Sequence, residues 1–179
     1  SFGTPLYAFD ASVLRRRLLA VQQALGERFT VLYSLKANPN AAVAAVLQQA
    51  GAGVEVASAG ELCVAEAAGW PPAAVRFAGP GKSEAELQFA LLHGLGCCHV
   101  ESQDEVELLA ATAARLHLRA GVAVRVNLPH ELSGSRMRMS GRHSRFGVDQ
   151  DQVPALLQRI AARPSLQLRG LHVYSGTQL

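Results

Sequence analysis

The stretch YSLKANPN, residues 33–40, sets a lysine between an apolar, β-prone run and an Asn-Pro pair. The run from Thr30 predicts a strand that closes on Lys36. Asn38 followed by Pro39 reads as a helix N-cap and first helical position, because proline's missing N–H costs nothing there. A strand feeding directly into a helix is half of a βα unit. The lysine is also unusual: the chain has two, Lys36 and Lys82, and its other basic side chains are arginines. Lysine is not used here as a generic surface charge.

Working outward, the same junction recurs. After an opening helix at about Ala11 to Leu25, strands are expected at Thr30–Lys36, Gly53–Ala57, Val75–Ala78, Cys97–Glu101, Gly121–Asn127 and Leu166–Tyr174. The first five begin roughly 22 to 25 residues apart, about the length of one βα unit. Ser58 with Glu61, Ser83 with Glu86 and Ser102 with Glu105 fit the capping box, and Asp149 with Gln152 is a variant of it. Val106, Leu109, Ala113 and Leu116 recur at helical spacing and give one apolar stripe. Strands alternating with helices imply an α/β fold with a parallel sheet. A doubly wound open sheet and a (β/α)8 barrel both fit. The barrel needs about 250 residues, so it would be incomplete here, and the ending YSGTQL directly after the sixth strand is expected to mark a fragment.

Bulk properties exclude several classes. At 179 residues and 49% hydrophobic content the chain can bury one substantial core. A charged fraction of 17% and a net charge of +3 suit neither a nucleic-acid binder nor a disordered segment. The Arg15-Arg16-Arg17 cluster is expected on a solvated helix face. No apolar run reaches the ~18 to 20 residues of a membrane span, and the start lacks a signal-peptide layout. Cys63, Cys97 and Cys98 form no CxxC pair, and no His spacing suggests zinc. They read as buried free thiols of a reducing, cytoplasmic protein, with no metal site. The long segment 129–146, rich in Gly, Ser and Arg, follows the fifth strand, on the face where α/β folds bind ligands.

Lys36 carries the chemistry. A lysine amine has a reference pKa of ~10.4 and is a poor nucleophile near neutrality. Burial among apolar groups such as Leu35 and Ala37 would lower it and suit it to a Schiff base. An edge lysine that snorkels to solvent accounts for the position equally well. Lys82, among glycines and polar residues, reads as a loop charge.

The segments GTPLYAFD, YSLKANPN, GVEVASAGEL, GPGKSEAEL, VRVN, SRFGVD and GLHVYSGTQ occur in the order and spacing of the fold-type III pyridoxal-phosphate decarboxylases. From residue 3 to its end the chain resembles the diaminopimelate and ornithine decarboxylase family. The resemblance implies a (β/α)8 barrel, with residues 1–179 supplying roughly its first six β/α units as one domain. The rest of the barrel and a C-terminal β-domain would lie beyond. It implies pyridoxal 5'-phosphate as cofactor, held by Lys36, with Arg125 behind it. Ser58 and Glu61 fall near the site, but capping explains them. Glu55 stands where many members have aspartate. Thr177 matches a serine near the phosphate. Tyr174 stands where many members have a ring-stacking histidine; a tyrosine can stack but offers no imidazole proton donor. His172, two residues earlier, projects to the same side of the strand and either compensates or packs in the barrel. An ion pair of Arg125 with Glu55 is the structural alternative for that arginine.

The resemblance thus implies a decarboxylase of a small-molecule amino acid, homodimeric when full-length. The segment GSRMRMSGRHSRFGVD resembles a loop of members that act on carrier-tethered amino acids. Arg136, Arg138, Arg142 and Arg145 would then receive an acidic carrier or a citryl-type carboxylate; a solvated basic loop explains them as well. The alternatives are a racemase on the related barrel, disfavoured by ANPN after Lys36, and a non-catalytic protein-binding homologue.

Overall fold

Short β-branched runs pair edge to edge, every pair parallel. In the computed structural model, which describes residues 2–128 and 146–174, β1 (Leu32–Ser34) pairs with β2 (Gly53–Val56) and β2 with β3 (Val75–Phe77). β3 pairs with β4 (Cys97–Val100), and β4 with β5 (Ala120–Asn127). β5 pairs in turn with the two-residue β6 (Val148–Asp149) and with β7 (Leu166–Val173). β7 is the sixth strand expected from the sequence; β6 was not expected, since two residues carry no periodicity. The strands follow chain order without a reversal. A doubly wound sheet must reverse at a switch point, whereas a (β/α)8 barrel winds in one sense. The chain is therefore an arc of barrel.

Helices α1 (Ala11–Leu25), α2 (Ala41–Gln49), α3 (Ala59–Ala67), α4 (Glu84–Leu92), α5 (Gln103–Arg115) and α6 (Val153–Ala161) connect or flank the strands. Strand alternation sends Val54, Val56, Val75, Phe77, Val100, Val122 and Val124 to the helix side. There they meet Leu62, Leu87, Leu109 and Ile160, all at most 1% exposed. Val106, Leu109 and Ala113 form the buried stripe of α5. The register partners Ser34, Glu55 and Arg76 share the other face, as do Arg125 and His172. One face is thus apolar core and the other a row of polar groups.

Local chemistry departs from expectation at informative points. β1 stops at Ser34, and Leu35–Ala37 form a 3-10 turn. Helix α2 is capped by Asn40 rather than Asn38; Asn40 Oδ1 accepts from the Ala42 N–H at 2.9 Å and the Val43 N–H at 3.3 Å. Asn38, extended (φ −161°) as a residue before proline is, instead accepts from the Asn40 N–H at 3.0 Å. Ser83 and Glu86 form a full capping box. Ser58 and Ser102 cap through Glu61 N–H and Glu105 N–H, but Glu61 and Glu105 reach back to the residue before the cap. Asp149 does not cap α6; its carboxylate accepts from Asn127 Nδ2 at 2.7 Å. Gly121 has to be glycine, because a Cβ there would lie 2.3 Å from the Gly96 carbonyl oxygen. Arg15, Arg16 and Arg17 are exposed. Cys97 and Cys98 are buried, and burial pushes the Cys98 thiol up to about 12. Cys63, expected buried, is exposed on α3 because the apolar side of that helix is carried by Leu62 and Ala65.

Phe77 is fully buried, whereas Leu92 is 61% exposed at the end of α4. Phe77→Ala is expected to cost about 3–5 kcal/mol and Leu92→Ala less than about 0.5 kcal/mol, measured by urea unfolding of the intact protein.

Candidate active site at the strand ends

Beyond the C-terminal ends of the strands lies a cavity of about 440 Å³, lined among others by Lys36, Glu55, Arg125, Phe146, His172 and Tyr174. Five of the residues singled out in the sequence, from four separate strand ends, therefore share one space. The sixth, Thr177, lies outside the described residues, as do residues 129–145 with their arginines.

Lys36 is two residues past β1, in the 3-10 turn. Its neighbour Leu35 is fully buried in the core and Lys36 is exposed. The expected shielding by apolar neighbours is corrected on this point: a 3-10 turn rotates successive side chains by a third of a turn, so Leu35 takes the core position and Lys36 the rim. Tyr33 supports the turn from below, its hydroxyl donating to the Asn38 carbonyl at 2.8 Å.

Arg125 is buried and pairs with Glu101, not with Glu55. Its Nη1 lies 3.1 Å from each Glu101 carboxylate oxygen. Glu101 also accepts from the Gly79 and Gly147 N–H groups, each at 3.2 Å. The guanidinium carbon sits 4.9 Å from the centre of the Phe146 ring. Glu101 was missed in the sequence, where it reads as a polar strand end before the Ser102 cap. Parallel register was the available signal: Val100 is opposite Val124, which sets Glu101 beside Arg125. Glu55 instead accepts from Ser34 Oγ at 3.3 Å.

Lys82 is not a loop charge. Its side chain is 1% exposed and pairs with Glu105 at 2.7 Å. Its Nζ also donates to the Gly79 carbonyl and, at 2.8 Å, to that of His99. Burial pushes the Glu105 carboxyl up while the Lys82 ammonium opposes it. With all three hydrogens engaged, Lys82 ties the 79–82 turn to β4 and α5, and Lys36 is the lysine left to the cavity.

His99 on β4, also missed, meets His172 with Nδ1 to Nδ1 at 3.0 Å. Burial and then the neighbouring His172, Lys82, Arg76 and Arg125 push His99 down to about 3. Burial and then Arg125 lower His172. Both rings are neutral at pH 7. Glu55, His99 and His172 offer ligand atoms within 4.8 Å of one another, a set that no local spacing reveals because each comes from a different strand. The surrounding cations oppose a bound divalent ion. The Tyr174 hydroxyl oxygen is buried, with no hydrogen-bond partner among the described residues. Ser58 and Glu61 remain capping residues.

The family model for the pyridoxal-dependent decarboxylase, pyridoxal binding domain, matches residues 11–179. The L-glutamyl-[BtrI acyl-carrier protein] decarboxylase of Niallia circulans is 33% identical over 177 residues, covering 99% of this chain and 41% of that protein. The diaminopimelate decarboxylase of Zymomonas mobilis is 33% identical over 185 residues, covering 99% of this chain and 44% of its own length. The chain thus spans less than half the length of these curated relatives. A crystal structure of a Helicobacter pylori diaminopimelate decarboxylase variant complexed with L-lysine superposes with a TM-score of 0.93 at 26% identity, covering 100% of this chain and 46% of that one.

Two outcomes follow from the buried charges. Glu101→Gln leaves the Arg125 charge buried and unpaired, and should destabilise the intact protein by about 3–5 kcal/mol in chemical denaturation. His99 titrates near 6.5 when unfolded and near 3 when folded, so between those values the unfolded chain binds more protons. Stability is then full above pH 6.5 and falls on acidification, by up to about 1.4 kcal/mol per pH unit for this group. Unfolding free energies measured from pH 7 to pH 4 should show that slope, and His99→Asn should flatten it.

Proposed function

The chain belongs to the pyridoxal-dependent decarboxylases, matching their pyridoxal-binding domain, and from that premise we propose that it is the cofactor-holding part of an enzyme that removes the carboxylate of an amino acid. The observation that carries this reading is the shared cavity: a lysine amine, a fixed guanidinium, an imidazole and a phenol at the C-terminal ends of parallel strands. Its volume lies in the range of small-molecule sites. The unpartnered Tyr174 hydroxyl calls for a polar group from a ligand, and pyridoxal phosphate offers several.

In this reading Lys36 Nζ holds the cofactor's aldehyde carbon and Glu55 stands beside it. Arg125, which Glu101 and Phe146 keep from swinging away, presents a fixed positive charge behind the ring. Tyr174 offers a flat aromatic face, and Thr177 a hydroxyl to the phosphate. The bound cofactor supplies an electron sink for the pair left when the carboxylate departs. His172 stays neutral beside Arg125 and Lys36, so it serves as a hydrogen-bonding contact to the bound group and is the imidazole available to the site where Tyr174 cannot be one.

The amino acid is either free and diaminopimelate-like or tethered to a carrier, with Arg136, Arg138, Arg142 and Arg145 as the basic surface an acidic carrier would meet. The full-length enzyme is a homodimer of the cytoplasm in this reading, consistent with three free thiols and with the finding that no described helix is long and apolar enough to cross a membrane. Carbon dioxide release from a panel of free and carrier-bound amino acids decides the substrate.

Lys36→Ala in the intact protein should abolish both the visible absorbance of lysine-bound cofactor and carbon dioxide release. Unchanged absorbance and turnover in that variant would remove the assignment.

A further inference from the structure

His99 has no task in the decarboxylase reading, yet it touches the imidazole of that site. The two rings meet at 3.0 Å between Nδ1 atoms, with centroids 4.8 Å apart and planes inclined by 58°. His172 lines the Lys36 cavity. His99 lines a separate cavity together with Arg76, Arg119 and Arg169. Two nitrogens at that distance must share one hydrogen, one ring donating and the other accepting. Each ring therefore commits its Nδ1, and His172 retains only Nε2 for other partners.

We propose that His99 is a positioning residue whose Nδ1 contact holds the His172 ring in one orientation and one tautomer, leaving Nε2 as the nitrogen offered to whatever occupies the Lys36 cavity. The proposal rests on the reading of that cavity as the cofactor site. A histidine ring with nothing to hold it can turn over and exchange tautomers; one bonded at Nδ1 to a neighbour on another strand cannot turn over without breaking the bond, and changes tautomer only if its neighbour changes with it. The charged groups that act on the pair include Lys36 after β1, Glu55 on β2, Arg76 on β3, Lys82 before α4 with its partner Glu105, Glu101 after β4 and Arg125 on β5, and Arg119 and Arg169 line the His99 cavity. Burial, and then the nearby cations, keep both rings neutral across the neutral pH range, so neither ring gains a proton there.

The test uses the intact, full-length protein. Nitrogen-15 spectra of labelled histidines in the cofactor-free protein, with His172 assigned through His172→Gln, read the tautomer directly. The unaltered protein should show a single His172 tautomer from pH 6 to pH 9. His99→Leu should show averaged tautomers, and His99→Asn, whose amide can donate or accept, should restore one. With pyridoxal phosphate bound, kcat of His99→Leu should fall about ten- to hundredfold with KM changed less than about twofold, and His99→Asn should recover most of the loss. Averaged tautomers in the unaltered protein, or a His99→Leu variant in which either the His172 spectrum or kcat is unchanged, overturn the proposal. Where His99→Leu does not fold, the unaltered spectrum and the kcat of His99→Asn decide. Lys36→Ala separates the two ideas: retained cofactor absorbance there removes the cavity assignment, while the tautomer measurement needs no cofactor.

Discussion

The carboxylate of Glu101 is the point on which the mouth of the sheet depends. It collects a guanidinium from β5 and two backbone N–H groups, from Gly79 and Gly147, while itself 3% exposed. A buried ion pair offsets its desolvation only when the remaining lone pairs are also satisfied. Here four hydrogen bonds to two oxygens meet that condition. The same atoms join the ends of β3, β4 and β5 to the approach to β6, so the charge that fixes Arg125 also fixes the rim around it. Mutual support of this kind gives the cavity its shape before any ligand enters.

The two lysines divide the labour through burial. Lys82 has three acceptors and is closed off from solvent; its charge stabilises backbone. Lys36 has a buried neighbour and an exposed head, so its amine is the accessible one. Position relative to a turn, rather than residue type, separates the buried structural cation from the accessible amine. On the polar face the sheet shows the same economy: the imidazoles of His99 and His172 meet each other, and the Tyr174 hydroxyl has no partner among the described residues.

Much of the architecture was legible in the sequence. The opening helix is found at Ala11–Leu25 as expected, the strand cores fall within the expected runs, and the three serine caps are in place. These features rest on interactions within a few residues, which local sequence specifies. The errors have the opposite character. Asn38 yielded the cap to Asn40, whose side-chain oxygen takes the first-turn N–H groups while Asn38 accepts from the Asn40 N–H. Arg125 found Glu101 rather than Glu55, Lys82 went inward, and Cys63 faced out, each decided by what the neighbouring element presents.

By itself the sequence determined the alternation of strand and helix and the caps, because hydrophobic period and turn chemistry are properties of short segments. Only the tertiary structure decided that the strands wind in one sense. Only it brought Lys36, Glu55, Arg125, His172 and Tyr174 around one cavity, and only it set Glu101 and His99 as their supports. Those contacts join residues far apart in the chain, and a pairing across parallel strands is fixed by register, which no single segment contains.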